Sequence, residues 1–241
     1  MATLFESLVL LFLPRHCYEQ FFLQFDFFHV ECWKMFISRA LGYGVILGST
    51  GVKLPQMIKI YNAGSVGGLS LTSFLLELMA VTCTMTYNIA NHYPFSTWGE
   101  SFFVSLQCAV LVVMYFYYTN NKLCAAMSLP IYVFITYLLG SGITPMAVLI
   151  NLQATTIPVM TFSKSFQVWA NYKNGNTGQL SAITTFLNLA GTLARIFTTL
   201  QEVNDALILF SFIISSTLNG TLAFQIVYYW NVKVPDESKD K

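Results

Sequence analysis

The sequence predicts an all-α integral membrane protein of seven transmembrane helices, built as two parallel three-helix repeats joined by a linker helix (3+1+3). Three observations predict it: scarce charge, seven apolar runs of span length, and a duplication at a fixed offset. The 241 residues are 55% hydrophobic and 16% aromatic but only 10% charged, with 12 basic and 11 acidic side chains. Soluble domains are nearer a quarter charged, and this chain cannot cover itself with a charged skin. The same composition excludes a disordered chain, a disulfide-rich secreted module and a nucleic-acid binder, which needs a basic surface.

A bilayer crossing takes about 20 mostly apolar residues. The predicted spans are Ser38 to Ile60, Ser70 to Asn91, Glu100 to Tyr118, Cys124 to Gly140, Pro145 to Trp169, Leu180 to Gln201 and Ala206 to Trp230. Turn formers such as Asn62-Ala63-Gly64, Asn120-Asn121 and Asn174-Gly175-Asn176 separate several of them. Before the first span, aromatic residues from Phe21 to Phe36 alternate with Gln24, Glu31 and Lys34. That spacing suits a helix lying on the membrane surface, and equally a tail packed on the bundle. Basic residues divide four (Arg15, Lys34, Arg39, Arg195) against eight on the opposite side, among them Lys53, Lys59, Lys122 and Lys164. The excess places the N-terminus outside or in a lumen and the C-terminus in the cytosol.

Shifting the chain by 111 positions superimposes Lys53 on Lys164, Gln56 on Gln167, Tyr61 on Tyr172 and Gly64 on Gly175. Seven of the 18 positions from 53 to 70 are identical without a gap. An offset longer than three spans leaves room for one linker helix, and an odd linker keeps the repeats parallel. The expected layout is a lumenal segment (1–37), a first repeat (38–118), the linker (119–144), a second repeat (145–230) and a cytosolic tail (231–241).

Polar residues inside spans need a reason. Glu77, Thr84 and Asn88 share one helix face, and Asn188, Arg195 and Thr199 repeat them at the same offset. Both stripes are expected to line a polar cavity between the repeats. Interhelical hydrogen bonding is the competing account, and the favoured one for Thr84 and Thr199. Glu77 lies about 10 Å and Arg195 about 22 Å from the cytosolic ends of their helices, too far apart for a salt bridge. Arg195 either snorkels to the lumenal surface or holds a phosphate. Lys53 and Lys164 are the other candidate phosphate contacts, with positive-inside anchoring as the alternative. Pro55 is expected to kink the first span into a hinge, with Gln56 and Gln167 bonding the freed backbone groups. Gly44 and Gly48 read as a close-packing face. Gln107, Asn151, Gln153 and Asn219 read as structural bonding groups. Cys17 and Cys32 share the lumenal segment, and the sequence leaves their pairing open. No metal spacing, nucleophile–base arrangement or phosphate-cradling loop is present, so neither an enzyme nor a cofactor is expected. Ser238 beside Lys239 leaves a dilysine retrieval signal at best partial.

Lys53-Leu54-Pro55-Gln56 with Leu69-Ser70, and Gln167 with Leu180-Ser181 in the second copy, resemble the PQ-loop repeat family, which includes SWEET sugar transporters and cystinosin-like exporters. Longer stretches resemble the mannose-phosphate-dolichol utilisation defect branch of that family. They are Leu75 to Leu78 with Pro94 to Glu100, Asn174 to Thr184 and Leu193 to Glu202. The resemblance implies a non-enzymatic, multi-pass protein of the endoplasmic reticulum membrane. It implies a need for the chain when mannose- and glucose-phosphate-dolichol serve as lumenal sugar donors for N-glycan, O-mannosyl and GPI-anchor synthesis. Its implied partners are the dolichol-linked monosaccharide and lumenal glycosyltransferases, with no nucleic acid. The alternatives are an alternating-access transporter of a sugar or amino acid, and a ligand-free assembly partner.

Overall fold

The computed structural model describes residues 4–67, 69–177 and 182–230. The tail 231–241 and the second-copy residues Gly178 to Ser181 lie outside the described residues. Every regular element among them is helical: α1 (Leu4–Phe12), α2 (Arg15–Phe22), α3 (Val30–Ser49), α4 (Leu54–Ala63), α5 (Leu71–Ala90), α6 (Phe95–Tyr118), α7 (Lys122–Gly140), α8 (Met146–Asn174), α9 (Ala182–Glu202) and α10 (Ala206–Tyr228). Among the described residues, six segments are long and apolar enough to cross a membrane: α3 with α4, α5, α6, α7, α8 and α10. The protein is a multi-pass membrane protein. The remaining expected span, α9, is long enough at 21 residues, and it carries five threonines, Asn188, Arg195 and Glu202.

Helix ends follow local chemistry. Ser70 and Asn121 cap α5 and α7 by accepting the backbone N–H of Ser73 and Cys124. Asp205 caps α10 through Leu207 and Ile208. Pro94 precedes α6, which starts five residues before the expected Glu100. Gly64 and Gly175 end α4 and α8 near the turn with φ of 58° and 63°, the left-handed conformation glycine adopts freely.

The duplication reaches these boundaries. Displaced by 111, the ends of α4 and α8 coincide, as do the starts of α5 and α9 and of α6 and α10. The chain divides into two compact units: Met1–Ala154 with Gln201–Val203, and Thr155–Leu200 with Asn204–Lys241. In the first unit, α6 packs against both α3 and α5, so the third helix of the repeat lies between the first and second. The core there is apolar, built from Ile60, Phe74, Leu78, Leu111 and Val112. In the second unit, α10 hydrogen-bonds to both α8 and α9, giving the same spatial order. Its glue is polar, with Asn171 and Gln225 bonded at 3.0 Å where the first copy has Ile60 and Met114. The linker α7 packs on α5 and α6 and leaves Val133, Phe134 and Tyr137 exposed, as a lipid-facing helix would.

The N-terminal segment is two short helices tied down by a Cys17–Cys32 disulfide between α2 and α3. His16 comes beside both sulfurs, but the disulfide leaves no thiolate there to hold a metal. The close approach of helices falls at Gly42, not at Gly44 or Gly48. A Cβ on Gly42 would meet the Ser96 carbonyl oxygen at 2.8 Å, whereas Gly44 and Gly48 face open space.

Candidate functional site

The first span is broken rather than kinked. Helix α3 stops at Ser49 and α4 starts at Leu54, with Thr50 to Lys53 between them. Ser49 and Thr50 turn their hydroxyls back onto the carbonyls of Ile46 and Leu47 at 2.7 Å, and Gly51 follows. Pro55 then lies in the first turn of α4, where its missing N–H costs nothing. The expected kink at Pro55 is therefore displaced to the residues before it. The break is braced by Gln107 of α6. Its Oε1 accepts the Lys53 N–H at 2.9 Å, and its Nε2 donates to the carbonyls of Ser49 (2.8 Å) and Phe103 (2.9 Å). Gln107 thus does at this break what the sequence assigned to Gln56, which is half-buried on α4.

The break also aims Lys53 at α5, where its Nζ meets Glu77 Oε1 at 2.5 Å. Glu77 is therefore partnered within its own repeat. The equivalent cation, Lys164, is inside the unbroken helix α8. At position 218, equivalent to Gln107, stands Leu, which could not satisfy a broken backbone. At position 188, equivalent to Glu77, stands Asn. The Lys164 ammonium instead donates to Asn219 Oδ1 at 2.8 Å and Ser215 Oγ at 3.0 Å, both on α10. Asn219 is held in turn by donating to the Asn188 carbonyl (3.3 Å) and Thr192 Oγ1 (3.4 Å). Copy one has Val104 and Cys108 at the positions of Ser215 and Asn219. The lysine partner has moved from the second helix of the repeat to the third, and from charged to neutral. Among the described residues, Lys164 has no carboxylate at ion-pair distance.

The remaining predicted residues divide. Thr84 and Asn88 bond within α5, to the carbonyls of Ala80 (3.1 Å) and Thr84 (2.7 Å), so their polarity is met by their own helix. Thr199 and Arg195 are buried, and Arg195 at 4% exposure does not snorkel. The Asn188 side chain is exposed and contributes only its backbone to the Lys164 cluster. Gln167 is half-buried on α8.

Asn219, read from the sequence as a structural bonding group, completes the Lys164 site together with Ser215, which the sequence does not single out. Also outside that reading is Glu202, whose carboxylate accepts from Ser38 and, at 2.5 Å, from Ser96, two buried hydroxyls of α3 and α6. None of Glu202, Ser38 and Ser96 has a like residue in the other copy, so a search by symmetry passes over them.

The family model described as PQ loop repeat matches residues 37–97 and 148–208. The two matches cover half the chain and begin 111 residues apart, the same offset as the duplication. The chain belongs to the PQ-loop repeat family. This PQ-loop protein is 28% identical over 186 residues to solute carrier family 66 member 3 of Homo sapiens, covering 77% of the chain and 91% of that relative. No solved structure matches it. Lys53 and Gln56 lie within the first matched repeat, and Lys164 and Gln167 within the second.

Proposed function

We propose that this PQ-loop protein makes mannose-phosphate-dolichol, and glucose-phosphate-dolichol, usable as lumenal sugar donors by moving or presenting the lipid, without catalysing a reaction. The observation that carries this reading is Lys164. An ammonium inside a span that is held by two neutral oxygens keeps its charge available to an anion, whereas Lys53 is neutralised by Glu77. A sugar–phosphate–lipid brings one phosphate and an apolar tail, and phosphate is a natural counter-charge for a lysine. The stretches Asn174 to Thr184 and Leu193 to Glu202 support the same lipid through their resemblance to the dolichol-utilisation branch. Residence in the endoplasmic reticulum follows from that reading, with lumenal glycosyltransferases of N-glycan, O-mannosyl and GPI-anchor synthesis as users of the lipid. The Cys17–Cys32 disulfide supports a lumenal N-terminal segment, since cytosolic thiols are kept reduced.

The test is complementation of cells lacking this protein. Lys164→Gln at normal protein level is expected to lose lumenal mannosylation, while the exposed Lys59→Gln keeps it. Full support by Lys164→Gln would remove the phosphate role.

A second reading, alternating-access transport of a small solute, is favoured by the likeness to a solute carrier. Under it, liposomes holding the protein exchange a sugar or amino acid with no dolichol lipid present.

A further inference from the structure

Helices α1, α2 and the start of α3 frame an open apolar pocket of about 490 Å³, within the range of ligand pockets. Its floor is Leu13 and Phe21, both buried, and Phe12 and Phe36 form its walls with their rings 6.1 Å apart. Phe22, Phe27 and Trp33 make the rim. Among the lining side chains the one polar atom, Trp33 Nε1, donates to the Phe27 carbonyl at 2.7 Å. The Cys17–Cys32 disulfide pins α2 to α3 beside the floor and fixes the cavity's width.

We infer that this cavity binds the hydrocarbon tail of a bilayer lipid. Its place decides the occupant. Trp33 and Phe36 belong to the segment Val30–Ala63, which is apolar enough to cross the membrane, so the mouth is level with the end of a span. Around the mouth, Phe25 and Phe28 are 72% and 91% exposed, with Leu23 and Val30 also largely uncovered. Such a fringe belongs in the headgroup–acyl boundary, about 5–10 Å into the leaflet. At that depth the apolar matter available to fill an open apolar pocket is an acyl or isoprenoid chain. A wall without charge or hydrogen-bonding groups reads the tail and not the headgroup. This site is independent of Lys164 and of the function proposed above.

The test uses the full chain in phosphatidylcholine nanodiscs containing a phosphatidylcholine with a diazirine midway along one acyl chain. After photolysis, labelled residues are mapped by mass spectrometry. Labelling of Phe12 and Phe36 is expected to saturate as the photolipid fraction rises, while labelling of Phe25 and Phe28 grows in proportion to it. Filling the cavity with Val9→Trp is expected to abolish labelling at Phe12 and Phe36 and spare Phe25 and Phe28. Proportional labelling at all four positions in the wild type would overturn the inference, as bulk lipid contact alone. No labelling at Phe12 and Phe36, with a bifunctional cross-linker joining two copies of the chain at the rim, would overturn it in favour of a protein interface.

Discussion

An ammonium group within a bilayer demands a partner, and the two copies supply different ones. Lys53 has a carboxylate, and Lys164 has an amide and a hydroxyl. Removing charge from Glu77 therefore strands a cation. Glu77→Gln is expected to destabilise the protein by about 1–3 kcal/mol, read by thermal unfolding in detergent, with partial recovery when Lys53→Gln is added. At Gln107 two bonds hold the break, and Gln107→Leu leaves the Lys53 N–H unmet and the Ser49 carbonyl with only the long bond from the Val52 N–H at 3.4 Å. A further loss of about 1–3 kcal/mol per stranded group is expected in the same assay. The lysines were legible because both copies keep them. Gln107 was seen as a polar residue in a span, but its target was not, because a helix break is a backbone event that Pro55 located two to five residues too late. Glu202 was not legible at all, since its partners Ser38 and Ser96 are distant in the chain and unmatched by symmetry.

Among elements, α3 and α6 touch most closely at Gly42. Gly42→Ala drives a methyl into the Ser96 carbonyl oxygen, which belongs to backbone and cannot yield cheaply. The variant is expected to lose about 1–3 kcal/mol in denaturant titration, while Gly44→Ala, facing open space, is neutral or slightly stabilising. Small residues advertise close packing, but only the rotation of α3 about its axis selects which glycine is used, and apolar sequence on all sides of a span does not encode that rotation. The disulfide acts on the N-terminal element. Replacing Cys17 and Cys32 by Ser opens a loop of 15 residues and is expected to cost about 3 kcal/mol locally. Limited proteolysis should then cut between residues 12 and 29 while α5, α6 and α7 remain protected.

For the whole molecule, the helix count and the duplication were readable because bilayer thickness fixes span length and the repeat fixes spacing. The structure adds that the copies are cemented differently. An apolar core fills the first unit, and hydrogen bonds through Asn171, Gln225 and Asn219 hold the second. That divergence was hidden from a reading that looked for what the copies share; beside it, Asn188 in the place of Glu77 leaves Lys164, among the described residues, without a carboxylate at ion-pair distance. The central claim is that this cation serves a phosphate-bearing lipid. Its most direct measurement is transbilayer movement of purified mannose-phosphate-dolichol in liposomes reconstituted with the wild-type protein and with Lys164→Gln. Protein-dependent movement that the substitution abolishes is the predicted result. Movement equal to that of protein-free liposomes, or unaffected by Lys164→Gln, would contradict the account.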